Sequence, residues 1–186
     1  MDPKYALVWS YLGFTGGGTV GGVQYSDKAC SLKALELQPK DAAAWFNLGI
    51  VGGGRVRGLK YSGKDCFRKA LEFDPEYANA WINLGFSGGG TVEGVQYSEK
   101  DCYMKALEFA PNFGYAWSNL GSTGGGIVGG VQYSDKDCYL KALELDPKDA
   151  YAWHNLATVG GGTVGGLLYS AMDCSRKAFE LHSRAA

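Results

Sequence analysis

The chain has 186 residues, 46% of them hydrophobic, and its 18 Lys and Arg nearly balance its 19 Asp and Glu. This balance gives no overall attraction toward nucleic acid or an anionic membrane, and no segment approaches the roughly 18 unbroken apolar residues of a membrane helix. The N-terminus has neither the charged start nor the apolar run of a signal peptide. We therefore predict an intracellular, cytoplasmic location.

Three residue types recur with a period of 36 residues, as in the step from Trp9 to Trp45. The three series are Trp9, Trp45, Trp81, Trp117 and Trp153; Cys30, Cys66, Cys102, Cys138 and Cys174; and Pro3, Pro39, Pro75, Pro111 and Pro147. Repetition at 20 to 50 residues is typical of a solenoid, in which each unit packs mainly on its neighbours. We predict a single repeat domain over residues 1–186, with repeats at 4–39, 40–75, 76–111, 112–147 and 148–183.

The first element of each repeat, which we name helix A, follows the proline. In the third repeat, Tyr77, Ala80, Trp81 and Leu84 have the spacing of one helix face. Gly85 falls on the same face, where a missing side chain lets another helix approach closely. The sequence therefore predicts an amphipathic helix that starts near Pro75 and ends at the glycine triplet.

A glycine-rich connector comes next. Glycine and β-branched residues disfavour a helix, so helix A is expected to end here. The segment from Val92 to Val95 resembles a tight two-residue turn between extended pieces, but so small a hairpin has little to bury. We predict an ordered, turn-rich loop in preference to a hairpin.

The second helix of each repeat, helix B, begins after a serine. Ser62, Ser134 and Ser170 are each followed three residues later by an aspartate, the pattern of a capping box. Each unit is thus a helix A, a glycine-rich loop and a helix B.

The cysteines are predicted to be reduced packing residues. Neighbouring helices lie about 8–10 Å apart, whereas a disulfide needs Cα atoms within about 7 Å. Equivalent cysteines on successive repeats are therefore too distant to pair or to share a metal ion.

Two segments resemble the tetratricopeptide (TPR) repeats and their Sel1-like relatives. They are Ala80-Trp81-Ile82-Asn83-Leu84-Gly85 and Lys105-Ala106-Leu107-Glu108-Phe109. The 36-residue period exceeds the usual 34, and the glycine triplet departs from the TPR pattern. The resemblance implies an all-α, right-handed α/α superhelical solenoid of five helix-turn-helix repeats with Gly-rich intra-repeat loops.

The resemblance also implies a peptide-binding groove lined by helix A. An asparagine ladder at Asn47, Asn83, Asn119 and Asn155, with Tyr11 in the first repeat, would hold a peptide backbone, because an amide both donates and accepts. Bonds from these asparagines to neighbouring helices are the open alternative. Partner-specific positions are expected at Phe46, Ile50, Ile82, Phe86, Ser118 and His154. Together with Phe14, these positions make the first three repeats apolar, and together with Ser122 and Thr158 they make the last two polar. Neutral variation among the repeats is the open alternative.

Other kinds of chemistry are less well supported. Three glycine loops formally fit a dinucleotide pattern, but no strand precedes them and none has the lysine of a phosphate loop. The two histidines lie in different helices, so no catalytic residue, cofactor or metal is predicted. RNA binding is disfavoured because the groove positions carry almost no positive charge.

We predict a non-enzymatic protein-protein interaction scaffold that binds a peptide or partner protein. The alternative is a structural or self-assembling array, with self-association through uncapped ends. Such an array would be a fragment of a longer solenoid or an engineered, consensus-like scaffold.

Overall fold

The computed structural model describes residues 3–183, which form ten α-helices and five β-hairpins, with one hairpin between the two helices of each repeat. The A helices are α1 (Pro3–Phe14), α3 (Ala42–Ile50), α5 (Ala78–Phe86), α7 (Gly114–Ser122) and α9 (Ala150–Thr158). The B helices are α2 (Asp27–Leu37), α4 (Gly63–Phe73), α6 (Glu99–Phe109), α8 (Asp135–Leu145) and α10 (Ala171–Ser183). The predicted succession of helix pairs is confirmed. Residues 1–2 and 184–186, on which the expectations about the chain ends partly rest, lie outside the described residues.

The chain divides into two compact units, at residues 1–98 and 99–186. In each unit, helix A and helix B of a repeat pack together, and helix B also packs on the helix A that follows it, as α2 does on α3 and α8 on α9. The division falls between the hairpin and helix B of the third repeat. The single domain and the five repeat bounds stay predictions.

The glycine-rich connectors are antiparallel hairpins, so the prediction of a turn-rich loop in preference to a hairpin is wrong, and the all-α description applies to the helix pairs but leaves out these short strands. The strands are β1 (Gly18–Val20), β2 (Val23–Tyr25), β3 (Gly53–Val56), β4 (Leu59–Ser62), β5 (Gly90–Val92), β6 (Val95–Tyr97), β7 (Gly126–Val128), β8 (Val131–Tyr133), β9 (Gly162–Val164) and β10 (Leu167–Tyr169). Each consecutive pair forms its own two-stranded sheet.

All five hairpins close through two residues with positive φ, the geometry of a type I′ turn. In the third repeat these residues are Glu93 (φ 50°) and Gly94 (φ 82°), and they join the paired residues Val92 and Val95. This turn matches the natural twist of the strands, which explains why strands of three or four residues suffice.

The second glycine of the triplet has no room for a side chain. At Gly161, where φ is 77°, an added Cβ would lie 2.2 Å from the carbonyl oxygen of Tyr169. The glycine therefore permits both the left-handed backbone and the close approach of the two strand ends.

An aromatic pair attaches each hairpin to helix A. The tyrosine at or next to the end of the second strand meets the tryptophan of helix A edge-to-face, as Tyr133 meets Trp117 at a centroid distance of 4.7 Å. The same contact recurs in the other four repeats at 4.7–4.8 Å. The hairpin is thus stabilised by tertiary packing as well as by its own short ladder.

The preceding helix B supports the other side of the hairpin. In the first unit, Arg68 Nε donates to the carbonyl oxygen of Thr91 at 2.6 Å, and Lys64 Nζ donates to that of Ser87 at 3.2 Å. The Thr91 and Ser87 backbones belong to the third repeat, whereas both basic residues belong to the second. The hairpin therefore ties successive repeats together.

The Trp and Pro series are linked by a hydrogen bond. The indole Nε1 of Trp45 donates to the carbonyl oxygen of Pro39 at 2.8 Å, and the same bond joins Trp81 to Pro75 at 2.7 Å. It recurs in the fourth and fifth repeats. A buried indole N–H needs such a partner, so the bond fixes helix A against the turn that precedes it.

Helix B begins at the predicted caps. Ser62 with Asp65 and Ser134 with Asp137 form complete capping boxes. In the fifth repeat, Ser170 and Asp173 exchange backbone and side-chain bonds in the same way. These contacts satisfy amide groups that the first helical turn leaves without partners.

The five cysteines are completely buried, and no disulfide joins them within residues 3–183. Burial raises the pKa of Cys66 and of Cys138 to about 12, since a thiolate would lose its hydration. The predicted packing role is confirmed.

Candidate peptide-binding surface

Two positions of helix A flank its asparagine in the sequence: one just before it, which faces the interior in most repeats, and one three residues after it, which is exposed. The interior helix-A column, one residue after each tryptophan, comprises Ser10, Phe46, Ile82, Ser118 and His154. The exposed helix-A column, five residues after each tryptophan, comprises Phe14, Ile50, Phe86, Ser122 and Thr158.

Three residues predicted to line the groove are part of the core. Phe46, Ile82 and Ser118 are only 7%, 3% and 0% exposed. The Phe46 ring packs on the ring of Tyr77 in the next repeat, with 5.0 Å between the two ring centroids. These three residues therefore contribute to packing, and their assignment to a binding surface is corrected.

Ser118, a polar member of the interior column, has a specific partner. Ser118 Oγ donates to Asp149 Oδ2 at 2.6 Å, while Asp149 Oδ1 accepts from the backbone amide of Ala152 at 3.0 Å. One carboxylate thus caps α9 and binds the preceding helix A. This role of Asp149 was not predicted, although an aspartate just before a helix is a signal for it.

The asparagines make mostly local bonds. Asn47 Nδ2 donates to the carbonyl oxygen of Ser10 at 2.9 Å, which joins the first two A helices. Asn83 and Asn119 donate to carbonyl oxygens four residues earlier in their own helices, at 2.9 and 2.7 Å. These three amides would have to exchange bonds to hold a peptide.

Asn155 is different from the other asparagines. Its Nδ2 is buried and has no hydrogen-bond partner among the described residues. Tyr11, which occupies the same position in the first repeat, is 67% exposed. The predicted ladder is therefore not uniform along the chain.

The exposed helix-A column is apolar in the first three repeats. Phe14, Ile50 and Phe86 are 71%, 56% and 71% exposed. All three belong to the first unit and to the same position of successive A helices. Their side chains contribute little to the core.

The same column is polar in the second unit. Ser122 Oγ and Thr158 Oγ1 donate to backbone carbonyl oxygens three residues earlier, each at 2.7 Å. At this position, the residues that change from apolar in the first three repeats to polar in the last two are therefore exposed to solvent.

Both histidines of the chain line one cavity at the fifth repeat. His154 on α9 and His182 on α10 border a space of about 590 Å³, together with Tyr151 and Phe179. His154 is exposed, unlike the four preceding members of the interior column. Among the described residues, no group of three or more His, Cys, Asp or Glu has a geometry that could hold a metal ion.

None of the helices within residues 3–183 is long and apolar enough to cross a membrane.

Comparison with known families finds a similarity for one pair of helices. A model of the tetratricopeptide repeat family matches residues 138–159. The match covers most of α8, the turn at Pro147 and α9, and it leaves out the hairpin. No curated protein matches the chain. The tetratricopeptide repeats generally mediate protein-protein interactions and are generally non-enzymatic. The matched segment is thus similar to a tetratricopeptide repeat, and the same pairing of helices recurs along the chain with a β-hairpin between the two helices of each repeat.

Proposed function

We propose that the protein is a non-enzymatic interaction scaffold that binds an extended segment of a partner protein along the exposed edge of its A helices. In the first unit, an apolar part of the partner would lie on the exposed apolar side chains of the A helices. In the second unit, Ser122, His154 and Thr158 are exposed and would offer polar groups to a partner. We expect no nucleic-acid partner, since the exposed helix-A column carries no positive charge.

The observation that carries the proposal is the row of Phe14, Ile50 and Phe86. Large apolar side chains that are more than half exposed at one position of three successive repeats form a surface which water solvates poorly. Scattered single residues of this kind are common, but a row in register is a feature of interaction sites. Tyr11 adds an aromatic ring with a polar end at the same edge of α1.

The asparagines retain a place in the proposal through Asn155. Its unpartnered amide is able to donate to a peptide carbonyl if a small side-chain rotation exposes it. Asn83 and Asn119 would act only by giving up their bonds within the helix, at a cost to affinity.

A phage-displayed library of random dodecapeptides, selected on the immobilised full chain, tests the proposal. A selected peptide is then measured by fluorescence anisotropy against the wild type and the triple variant Phe14→Ser, Ile50→Ser and Phe86→Ser. We expect the triple variant to bind at least roughly tenfold more weakly, equivalent to about 1.4 kcal/mol.

The matched control is the double variant Ser122→Ala and Thr158→Ala, which alters the same column where it is polar. It should retain binding within a factor of about two, since the lost hydroxyls bond to their own helices. Failure to select any binder, or equal binding by the triple variant, contradicts the proposal.

A second candidate function is self-assembly, with a further copy of the chain as the partner. Val8 on α1 is 54% exposed, whereas Ala44 at the same position of the second repeat is buried. Phe179 on α10 is 74% exposed, whereas its counterpart Leu143 is buried. If the first repeat of one copy packed on the fifth repeat of another, both apolar faces would be covered as they are inside the chain.

Light scattering over a concentration series tests this alternative. A mass that rises with concentration in the wild type, and is constant in the double variant Val8→Ser and Phe179→Ser, supports assembly. A monomeric mass for the wild type at every concentration rejects it.

A further inference from the structure

A second apolar cleft, which we name the hairpin cleft, lies beneath the hairpin of the fifth repeat. It has a volume of about 500 Å³. Trp153 and Tyr169 line one part of it, Pro147 belongs to the turn before α9, and Val164 and Leu167 belong to the hairpin. All of these residues lie within the second unit. The cleft involves neither column of helix A.

Leu167, which lines one side of the cleft, is an aliphatic residue with an exposed side chain. Val164 and Leu167 are paired across the hairpin, yet Val164 is 9% exposed and Leu167 is 63% exposed. The position of Leu167 is occupied by an exposed Val or Leu in every repeat, namely Val23, Leu59, Val95 and Val131. The tip of the hairpin therefore extends past the core and presents an apolar surface to solvent.

The rim of the cleft has an excess of positive charge. Its charged residues are Glu144, Lys148 and Lys177. Glu144 Oε2 already accepts from Lys141 Nζ at 2.8 Å. Lys148 and Lys177 take part in no ion pair within residues 5–183. Glu180, three residues after Lys177, is not within ion-pair distance of it, so both ammonium groups lie beside the apolar cleft outside any ion pair of these residues.

The charge pattern is specific to the fifth repeat. The lysine equivalent to Lys177 is paired with a glutamate three residues later in each earlier repeat, as in Lys105 with Glu108 at 2.7 Å. The position of Lys148 is occupied by Lys40 in the second repeat, by Glu76 in the third and by Asn112 in the fourth. From the second repeat to the fifth, only the fifth therefore combines a lysine at this position with a helix-B lysine outside an ion pair.

We propose that the hairpin cleft of the fifth repeat binds an extended partner peptide through one aliphatic side chain flanked by carboxylates. The aliphatic group would enter between Leu167 and Trp153, where it is removed from water. The carboxylates would bind Lys148 and Lys177, whose charges are complementary to them. This site would act in addition to the exposed helix-A column.

The test is an NMR titration of the ¹⁵N-labelled full chain with the peptide acetyl-Glu-Leu-Glu-amide. The indole N–H of Trp153 reports on the cleft, because it donates to the Pro147 carbonyl at 2.9 Å and both residues line the space. We expect this indole signal to shift more than those of the other four tryptophans. The comparison peptides acetyl-Gln-Leu-Gln-amide and acetyl-Glu-Ala-Glu-amide should each bind several-fold more weakly.

Three variants locate the binding. The double variant Lys148→Gln and Lys177→Gln should weaken binding of acetyl-Glu-Leu-Glu-amide by roughly tenfold. Leu167→Ser should weaken it several-fold. Lys105→Gln, which removes a lysine already paired with Glu108, is the matched control and should leave the affinity unchanged.

Several results would overturn the proposal: no shift of the Trp153 signal, equal shifts at all five indoles, equal binding of the glutamine peptide, or an unaltered affinity in the double lysine variant. The triple variant of the exposed helix-A column should bind this peptide normally. Failure of the helix-A proposal and failure of this one are therefore separable.

Discussion

The hairpins and the exposed helix-A column differ in how closely the five repeats resemble one another. Every hairpin has glycine at the start of its first strand, a two-residue turn with positive φ, and tyrosine at the same place in its second strand. The exposed helix-A column instead reads Phe, Ile, Phe, Ser and Thr. Each repeat thus combines a nearly constant part with a variable one.

The difference has a physical origin. Glycine is the only residue type that the backbone angle at position 161 and the nearby Tyr169 carbonyl allow. The ring of Tyr169 must in turn reach Trp153 on helix A. Phe86, in contrast, projects into solvent, where most side chains fit equally well. Uniformity therefore marks residues that build the fold, and variation marks residues that are available for recognition.

The largest expected effect concerns the tryptophan that joins the hairpin to helix A. Trp117→Ala should lower the free energy of unfolding by about 3–5 kcal/mol, since it leaves a cavity, removes the contact with Tyr133 and leaves the Pro111 carbonyl without its donor. Guanidinium denaturation followed by circular dichroism measures the change.

Trp117→Phe is the control for this prediction. It keeps an aromatic ring near Tyr133 but loses the bond to Pro111, so its loss of stability should be clearly smaller than that of the alanine variant. A loss of less than about 1 kcal/mol in Trp117→Ala would contradict the structural role of the tryptophan.

The next largest expected effect is a difference in stability between alanine substitutions at two glycines, Gly161 at the start of a hairpin and Gly165 in its turn. Gly161→Ala should destabilise the protein by more than about 2 kcal/mol, because it combines a left-handed backbone with a Cβ placed 2.2 Å from the Tyr169 oxygen. Gly165 also has positive φ, at 58°, but nothing lies within 4 Å of its added Cβ.

Gly165→Ala should therefore cost only about 1 kcal/mol, the penalty of the backbone conformation alone. Thermal denaturation of the two variants, measured side by side, gives the comparison. Equal losses would mean that the close approach of the strands is not what requires glycine at position 161.

The helices could be predicted from the sequence, but the strands of the hairpins could not. The helices and their caps follow from local patterns such as Ser134 followed by Asp137, so both were predicted correctly. The turn at Glu93-Gly94 was also visible in the sequence. The strands were rejected because they bury little by themselves, but their stability comes from Tyr97 packing on Trp81, a contact between distant residues.

The surface was predicted only in part for a similar reason. The spacing of residues places Ile82 and Phe86 one helical turn apart, and both are large and apolar. Which of the two is buried depends on how neighbouring helices pack, and the pattern within one repeat does not contain that information. The pairing of Lys148 with Lys177 was not predicted, because the two are far apart in the sequence and line one cleft only in the folded chain.

A smaller effect concerns the cap of helix B. Ser134→Ala should cost about 1 kcal/mol, because the amide of Asp137 loses its acceptor. Bonds from the Ser134 side chain and backbone to its carboxylate lower the pKa of Asp137. A lowered pKa in the folded state gives stability that is present above the unfolded pKa, near 3.9, and is lost as the pH falls through the folded value.

Urea denaturation between pH 2 and pH 7 measures this contribution. The wild type should lose stability more steeply with acid than Ser134→Ala does, since the variant no longer favours the ionised carboxylate as strongly. Parallel curves for the two proteins would show that the serine hydroxyl does not set the pKa of Asp137.

The smallest expected effect on stability is at Phe86, and it sharpens the distinction between building and recognition. Phe86→Ser should change the free energy of unfolding by no more than about 0.5 kcal/mol, because the side chain is 71% exposed and leaves no cavity. Ile82→Ser, one turn earlier on the same helix, should cost at least about 2 kcal/mol, because Ile82 is 3% exposed. Chemical denaturation of both variants gives the values, and a selected peptide should lose affinity for the folded Phe86→Ser protein. If Phe86→Ser proved as destabilising as Ile82→Ser, the exposed helix-A column would belong to the core, and its variation among repeats would no longer indicate a binding surface.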